Sequence, residues 1–453
     1  MKKLFAPALF AAIAGTFPIF ANANTNFPAD ENHCAVNETP AARDARMRWW
    51  RDAKFGMFIH YGLYSGLAGV WRGAPAGGEW IQKNVETDTA TYATEAFPRF
   101  QPREKIADEW AALAEEAGCR YAVFTSKHHE GFAMFESAQT QFNSAAKFKR
   151  DFVREFTEAF RARGMRVGLY HSVIDWHNPN YDNTIQPELA YPRGQVALLK
   201  TLDLARDQEK YKKYLREQVR EILTNYGKID VIWWDYSQGK AEGARAWDAP
   251  ALIEMCREIN PQIIMNNRLY AFAGLDTATV SSLDPRCGDF TTPEKHIPRE
   301  GFPGLDWESC MTVGNHWGFS HSDKNFKSAE TVILQLRECA AKGGNLLLNI
   351  GPRVDGSVPE EVATAFRGVG KWLKTNGEAI YGTRAFYGAK DASGEILPAS
   401  RTDEAVYVFV PQGKTPDDLE IFINGVRVAG KTLGETICPV VKIPLNRAET
   451  AES

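Results

Sequence analysis

Several apolar runs in this 453-residue chain stop abruptly at groups that a plain hydrophobic core would not choose. Phe-Gly-Met-Phe-Ile ends at His60, Tyr-Ala-Val-Phe-Thr-Ser-Lys ends at His128-His129-Glu130, Gly-Leu ends at Tyr170-His171, and Val-Ile-Trp233-Trp234 ends at Asp235. An acid closing an apolar strand beside two tryptophans puts a carboxylate next to aromatic platforms, which suits a sugar ring with its apolar face. Asp235 is therefore the leading candidate for a nucleophile, although an Asp after a strand also serves as a helix cap.

Hydrolysis of a glycosidic bond with retention needs a second carboxyl about 5 to 5.5 Å from the first, protonated at the outset so that it can give its proton to the leaving oxygen. Three acids in irregular sequence qualify: Asp289, Glu294 and Glu308. Glu294, in Gly-Asp-Phe-Thr-Thr-Pro-Glu, is favoured and Glu308, in Asp-Trp-Glu-Ser-Cys, is the runner-up. Arg268 closes Ile-Ile-Met-Asn-Asn-Arg, where a guanidinium would donate to a sugar oxygen or join a structural ion pair. Glu79-Trp80 sets a carboxylate beside an indole, a pairing that holds sugars. Adjacent histidines on a regular strand point to opposite sides, which is poor geometry for two ligands of one metal, but a bend at the strand end lets both reach one mouth. Metal hydrolases on barrels favour His-x-His on an early strand, and only His60 stands there, so neither metal nor cofactor is expected.

Groups from several strand ends can meet only if the strands are parallel. Between Ala41 and Lys374 short apolar runs alternate with amphipathic stretches, the rhythm of strands joined by helices, and in a (β/α)8 barrel the carboxyl ends of the strands form the active face. Expected strands are 55–60, 121–125, 166–171, 231–235, 263–267 and 345–350; expected helices 104–116, 152–163 and 204–226 each stop at a glycine, Gly118, Gly164 and Gly227. The stretches 175–193 and 284–304 lack periodicity and read as substrate loops. Near Gly382 the pattern changes to alternating strands, with an Asn424-Gly425 turn between two of them, which predicts a small β-sandwich. The predicted division is a signal peptide over 1–23, an N-terminal extension over 24–40, a catalytic barrel over 41–378 and a β-sandwich over 379–453.

Met1-Lys2-Lys3, an apolar run to Phe20 and Ala21-Asn22-Ala23 follow the order of a secretory signal cut after Ala23. That predicts a periplasmic or secreted protein with no membrane span after cleavage. Losing Lys2 and Lys3 with the leader takes the formal charge from −4 to −6, and a mildly acidic surface without a basic cluster argues against nucleic acid as a partner. Seven scattered cysteines show no C-x-x-C spacing; being odd in number, they leave at least one thiol free or paired between chains. An oligomer is compatible with all of this.

The segments Lys54-Phe-Gly-Met-Phe-Ile-His60-Tyr-Gly-Leu-Tyr-Ser, Gly78-Glu-Trp80, Ala117-Gly-Cys-Arg-Tyr-Ala-Val-Phe-Thr-Ser-Lys-His128-His129-Glu-Gly-Phe, Trp233-Trp-Asp235 and Trp317-Gly-Phe resemble, in order, the signature segments of the α-L-fucosidases of glycoside hydrolase family 29. The resemblance implies a catalytic barrel with a C-terminal β-sandwich, a two-step retaining mechanism without metal, and a fucosylated glycan or glycoside as substrate. It implies Asp235 as nucleophile, Glu294 as acid/base, and His60, Glu79, Trp80, His128, His129 and Arg268 around the sugar, with His171 beside it and Trp233 and Trp317 packing on its ring and methyl group. Departures are Tyr61 for Trp, Glu130 for Asp, His171 for Tyr and Tyr236 for Gly. A related barrel glycosidase for another sugar, or a sugar-binding protein without catalysis, are the alternatives.

Overall fold

The computed structural model describes residues 38–181, 206–236, 246–269, 288–434 and 437–445. The leader, most of the 175–193 stretch, and Cys34 and Cys287 lie outside the described residues. Seven parallel strands form one sheet: Phe55–Ile59, Tyr121–Lys127, Arg166–Ser172, Val231–Asp235, Ile264–Met265, Glu308–Thr312 and Asn345–Ile350. Each neighbouring pair is parallel, in the spatial order fifth, fourth, third, second, first, seventh, sixth.

The two edges of that sheet are joined by a piece of chain, within 284–304, whose sequence reads as loop. Parallel bridges pair Asn266 with Phe290, Thr291 with Trp307 and Glu294 with Cys310, while Glu308 N donates to Thr291 O at 2.9 Å and Lys295 N to Cys310 O at 2.9 Å. Residues 288–295 thus run between the fifth and sixth strands as an eighth stave, and the sheet closes into a (β/α) barrel. The reason the stretch escaped periodicity is that a Pro and two threonines interrupt its apolar pattern.

Alternation along the strands sorts side chains to the two faces. Phe58, Tyr121, Val123, Tyr170, Val231, Trp233, Ile264, Phe290, Cys310 and Leu347 fill the barrel, closed from below by Met47, Trp50 and Ala53 of the helix Pro40–Ala53. Thr39 caps that helix by accepting from Ala42 N at 3.2 Å. Met57, Ile59, Phe124, Leu169, Ile232 and Trp234 face outward to the helices, among them Ile106–Ala117, Phe152–Ala162, Gln208–Thr224, Ala329–Ala341 and Glu360–Asn376. The glycine stops behave as the sequence predicts: Gly118, Gly164 and Gly227 take φ of 83, 72 and 70°, the left-handed region that ends a helix without a Cβ clash.

Beyond the barrel, a five-stranded and a three-stranded antiparallel sheet enclose a second core of Ala399, Val406, Val408, Ile421, Val441 and Ile443. Asn424 and Gly425, at φ 51 and 82°, make the turn between Ile421–Ile423 and Val426–Val428, as their dipeptide predicts. Arg337 of a barrel helix donates to Val410 O at 2.8 Å, and Tyr407, Phe409 and Val440 join the barrel's outer core.

Candidate active site

Asp235 is the last residue of the fourth strand and shares its inward face with Trp233. Two donors orient its carboxyl: the Tyr170 hydroxyl reaches Oδ2 at 2.7 Å and Arg268 Nη1 reaches Oδ1 at 2.8 Å. Tyr170 sits opposite Trp233 in the strand register, one layer below Asp235, so its phenol rises along the barrel wall to meet the acid.

Arg268, just past the fifth strand, is the hub. Its Nη2 donates to Glu294 Oε2 at 3.0 Å, its Nε to Thr292 Oγ1 at 2.8 Å, and its guanidinium lies 4.3 Å above the Trp233 ring centroid. Burial alone would favour the neutral form, but the Cys310 sulfur and the acids Glu294 and Asp235 around it push the pKa up, so it stays charged. Glu294 comes from the eighth stave; its other oxygen accepts from Trp317 Nε1 at 3.2 Å, and its side chain is 30 % exposed against 12 % for Asp235. Both acids therefore hang from adjacent nitrogens of one guanidinium at the open mouth.

The imidazoles line the opposite wall. His128 and His129 follow the second strand where its register with the third slips between Thr125 and Lys127, and the two rings end up side by side, 4.1 Å apart. Ser172 Oγ donates to Ile174 O at 2.9 Å, so the 2.7 Å contact from His129 Nδ1 is a donation to that hydroxyl, which leaves Nε2 as an acceptor facing Asp235 at 3.6 Å. Asn349 donates its amide to Trp317 O at 2.7 Å; its oxygen then accepts from His60 Nδ1 at 2.7 Å, again leaving Nε2 as an acceptor. Burial pushes His60 down to about 3 and holds His128 and His129 well below the usual histidine range, so all three are neutral near pH 7. On His60 and His129 the bare Nε2 atoms can accept from hydroxyl groups. Trp80 packs on His129 at 5.1 Å and on Tyr236 at 5.3 Å, Trp317 on His60 at 5.1 Å, and Glu79, its pKa raised by burial, accepts from Gly318 N at 2.8 Å.

Four expectations need correction. His171 turns to the helical side, with Nδ1 2.9 Å from Ser126 Oγ, because it is one residue out of phase with Tyr170; it does not reach the mouth. Trp233 is 2 % exposed beneath Arg268, Phe58 and Tyr170, so it is a floor rather than a stacking platform. Glu308 opens the sixth strand instead of lying in a loop; it is buried inside the barrel between Trp233 Nε1, 3.1 Å from Oε1, and the Tyr121 hydroxyl. Asp289 is fully buried between Arg46 and Arg257, at 2.8 and 2.7 Å, and only holds structure. Sequence reasoning also missed Tyr170 as Asp235's partner and Asn349 as His60's. Strand parity points to Tyr170, and an Asn inside Leu-Leu-Leu-Asn-Ile points to Asn349.

Among the described residues no group of three His, Cys, Asp or Glu side chains stands close enough to hold a metal ion, and five cysteines are free thiols. A (β/α) barrel whose carboxyl-end mouth gathers two acids, neutral imidazoles and indoles has the groups that glycoside hydrolysis requires. The family model for α-L-fucosidase matches residues 22–378. Alpha-L-fucosidase of Dictyostelium discoideum is 28% identical over 390 residues, 82% of this chain and 78% of its own, and plasma alpha-L-fucosidase of Homo sapiens is 29% identical, covering 86% and 82%. Alpha-L-fucosidase isoenzyme 1 from Paenibacillus thiaminolyticus superposes with a TM-score of 0.73 at 32% identity, covering 90% of this chain and 96% of that one. A family 29 α-L-fucosidase from Bacteroides thetaiotaomicron, solved as a trapped covalent intermediate with 2-fluoro-fucosyl fluoride, gives 0.68 at 25% identity, covering 89% and 93%. The chain belongs to the α-L-fucosidase family, glycoside hydrolase family 29.

Proposed function

We propose that the chain is a retaining exo-α-L-fucosidase that removes terminal α-L-fucose from fucosylated glycans or glycosides. Asp235 attacks the anomeric carbon as the glycosidic bond breaks, and the leaving oxygen takes its electron pair and the proton of Glu294. Glu294, now a carboxylate, removes a proton from water; that water attacks the same carbon and the bond to Asp235 breaks. Two inversions give net retention. His60, His128 and His129 accept from fucose hydroxyls, and Trp80 and Trp317 flank the ring. The observation that supports this reading is the shared guanidinium of Arg268, bonded to Asp235 at 2.8 Å and to Glu294 at 3.0 Å, the closeness that two acids acting on one glycosidic bond require.

The test is proton NMR of the first-formed sugar from 4-nitrophenyl α-L-fucoside, with Asp235→Ala as control. Initial α-fucose, lost in the variant, is the expected result; initial β-fucose would overturn the two-step route, and no turnover of aryl or natural fucosides would leave a sugar-binding protein. The leader-like start supports export to the periplasm or beyond, with barrel and sandwich dividing near residue 378; sequencing the mature N-terminus, expected at Asn24, checks the first point.

A further inference from the structure

In a retaining reaction the leaving group departs on the side of the acid/base, away from the nucleophile. What stands beside Glu294 on that side is Lys295. It holds φ of 59°, a left-handed backbone that a residue with a Cβ adopts only where its surroundings enforce it, and such positions cluster at functional sites. Here the enforcement is visible: Lys295 N donates to Cys310 O at 2.9 Å, Nζ donates to Asn315 O at 2.9 Å, and the ammonium lies 5.4 Å from the Trp317 ring centroid.

Lys295 is an exposed residue, and among the described residues no carboxylate lies within 4.0 Å of its ammonium. The two acids on that side already have donors, Glu294 from Arg268 and Trp317, and Asp323 from the Asn315 and His316 backbone. A second ammonium, that of Lys327, is held on Thr312 O close enough for the Lys295 charge to act on it. Lys295 therefore brings to this side of the mouth an ammonium with no carboxylate of the described residues within 4.0 Å, while the second ammonium, Lys327, also feels the opposite charge of Asp323. A sugar hydroxyl can accept from this ammonium, but a carboxylate or sulfate would take its remaining protons in stronger, charge-assisted bonds.

We infer that Lys295, set over Trp317, selects leaving groups that carry a negative charge, a carboxylated or sulfated sugar next to the fucose. The inference rests on the fucosidase reading and on Glu294 marking the leaving-group side.

The experiment compares kcat/KM for 4-nitrophenyl and 3-carboxy-4-nitrophenyl α-L-fucoside, two leaving phenols of similar reactivity that differ by one charge. At low salt the carboxylated compound should be preferred about two- to fivefold, the range of an exposed ion pair. Lys295→Gln should bring the ratio to about one, Lys295→Arg should keep most of it, and ~0.5 M salt should erase it in the wild type. Equal ratios in wild type and Lys295→Gln, or a preference for the neutral compound, would overturn the inference while leaving fucosidase activity intact. Turnover of neither compound would overturn both.

Discussion

The Tyr170 hydroxyl donates to Asp235 Oδ2 at 2.7 Å, from a ring packed between Phe58 at 6.0 Å and Trp233 at 5.8 Å. The bond fixes the direction of the carboxyl oxygens, leaving one lone pair of Oδ2 for the reacting carbon. Tyr170→Phe keeps the ring and removes only the donor. We expect kcat/KM on 4-nitrophenyl α-L-fucoside to fall about ten- to a hundredfold, the worth of one hydrogen bond to a charged acceptor, with an unchanged melting temperature. An unchanged rate would show that Arg268 alone orients the acid.

Glu294 and Glu308 were both candidates for the proton donor, and their surroundings separate them. Glu308 is walled in by Trp233 and Tyr121, and burial pushes it up to about 7. Glu294→Gln should lower kcat about 10²- to 10⁴-fold on substrates with a poor leaving group and much less on aryl fucosides that leave unaided. Glu308→Gln, which can still accept from Trp233, should retain most activity on both. The reverse pattern would return the role to Glu308.

Glu130 accepts from Leu63 N at 3.0 Å and faces the Tyr92 hydroxyl. Burial pushes its carboxyl up from 4.5 to about 8, so the folded state binds this proton more tightly than the unfolded chain. Its contribution to stability is fully present below about 4.5 and is lost as pH rises through about 8. Urea unfolding should show the wild type losing stability between pH 5 and 8 faster than Glu130→Gln, which cannot titrate. Parallel curves would mean that water reaches this carboxyl.

Asp289 pairs with the buried Arg46 and the partly buried Arg257 and also accepts from Met265 N at 2.9 Å. Replacing it by Ala leaves Arg257 without its carboxylate and Arg46 with Glu38 alone, which costs about 3–5 kcal/mol by analogy with other broken buried pairs. Denaturant unfolding of Asp289→Ala measures this; a loss under 1 kcal/mol would show that Glu38, 2.6 Å from Arg46, takes over.

How much of this was legible in the sequence follows from what kind of information each part needs. Six strands showed as apolar runs, because burial on both faces of a barrel wall leaves little room for polar residues. Glu308–Thr312 did not, since Glu-Ser-Cys-Met-Thr is nearly all polar or small and is buried only by what surrounds it. Asp235, Arg268, His60, His128 and His129 come together because each ends a strand or follows one, and Glu294 joins them from a stretch that reads as loop. His171 was placed wrongly for want of phase: a strand end names the level of a residue, and only parity tells which side it faces. The Arg268 bridge was beyond reach, because it depends on the distance between the end of the fifth strand and a stave that no pattern announced.

That stave has a consequence for how activity and architecture depend on each other. Residues 288–295 close the ring and carry Glu294, so the hydrogen bonds that seal the seam are also those that hold the proposed proton donor in place. Asp235 stands on the fourth strand, which pairs along its whole length with the third, and one of its two donors, Tyr170, lies outside the seam. Loosening the closure by heat or denaturant would then strip the protein of proton transfer while sparing its nucleophile. Substrates that leave without help would still be cleaved, and the ratio of slow to fast substrates becomes a gauge of whether the ring is shut.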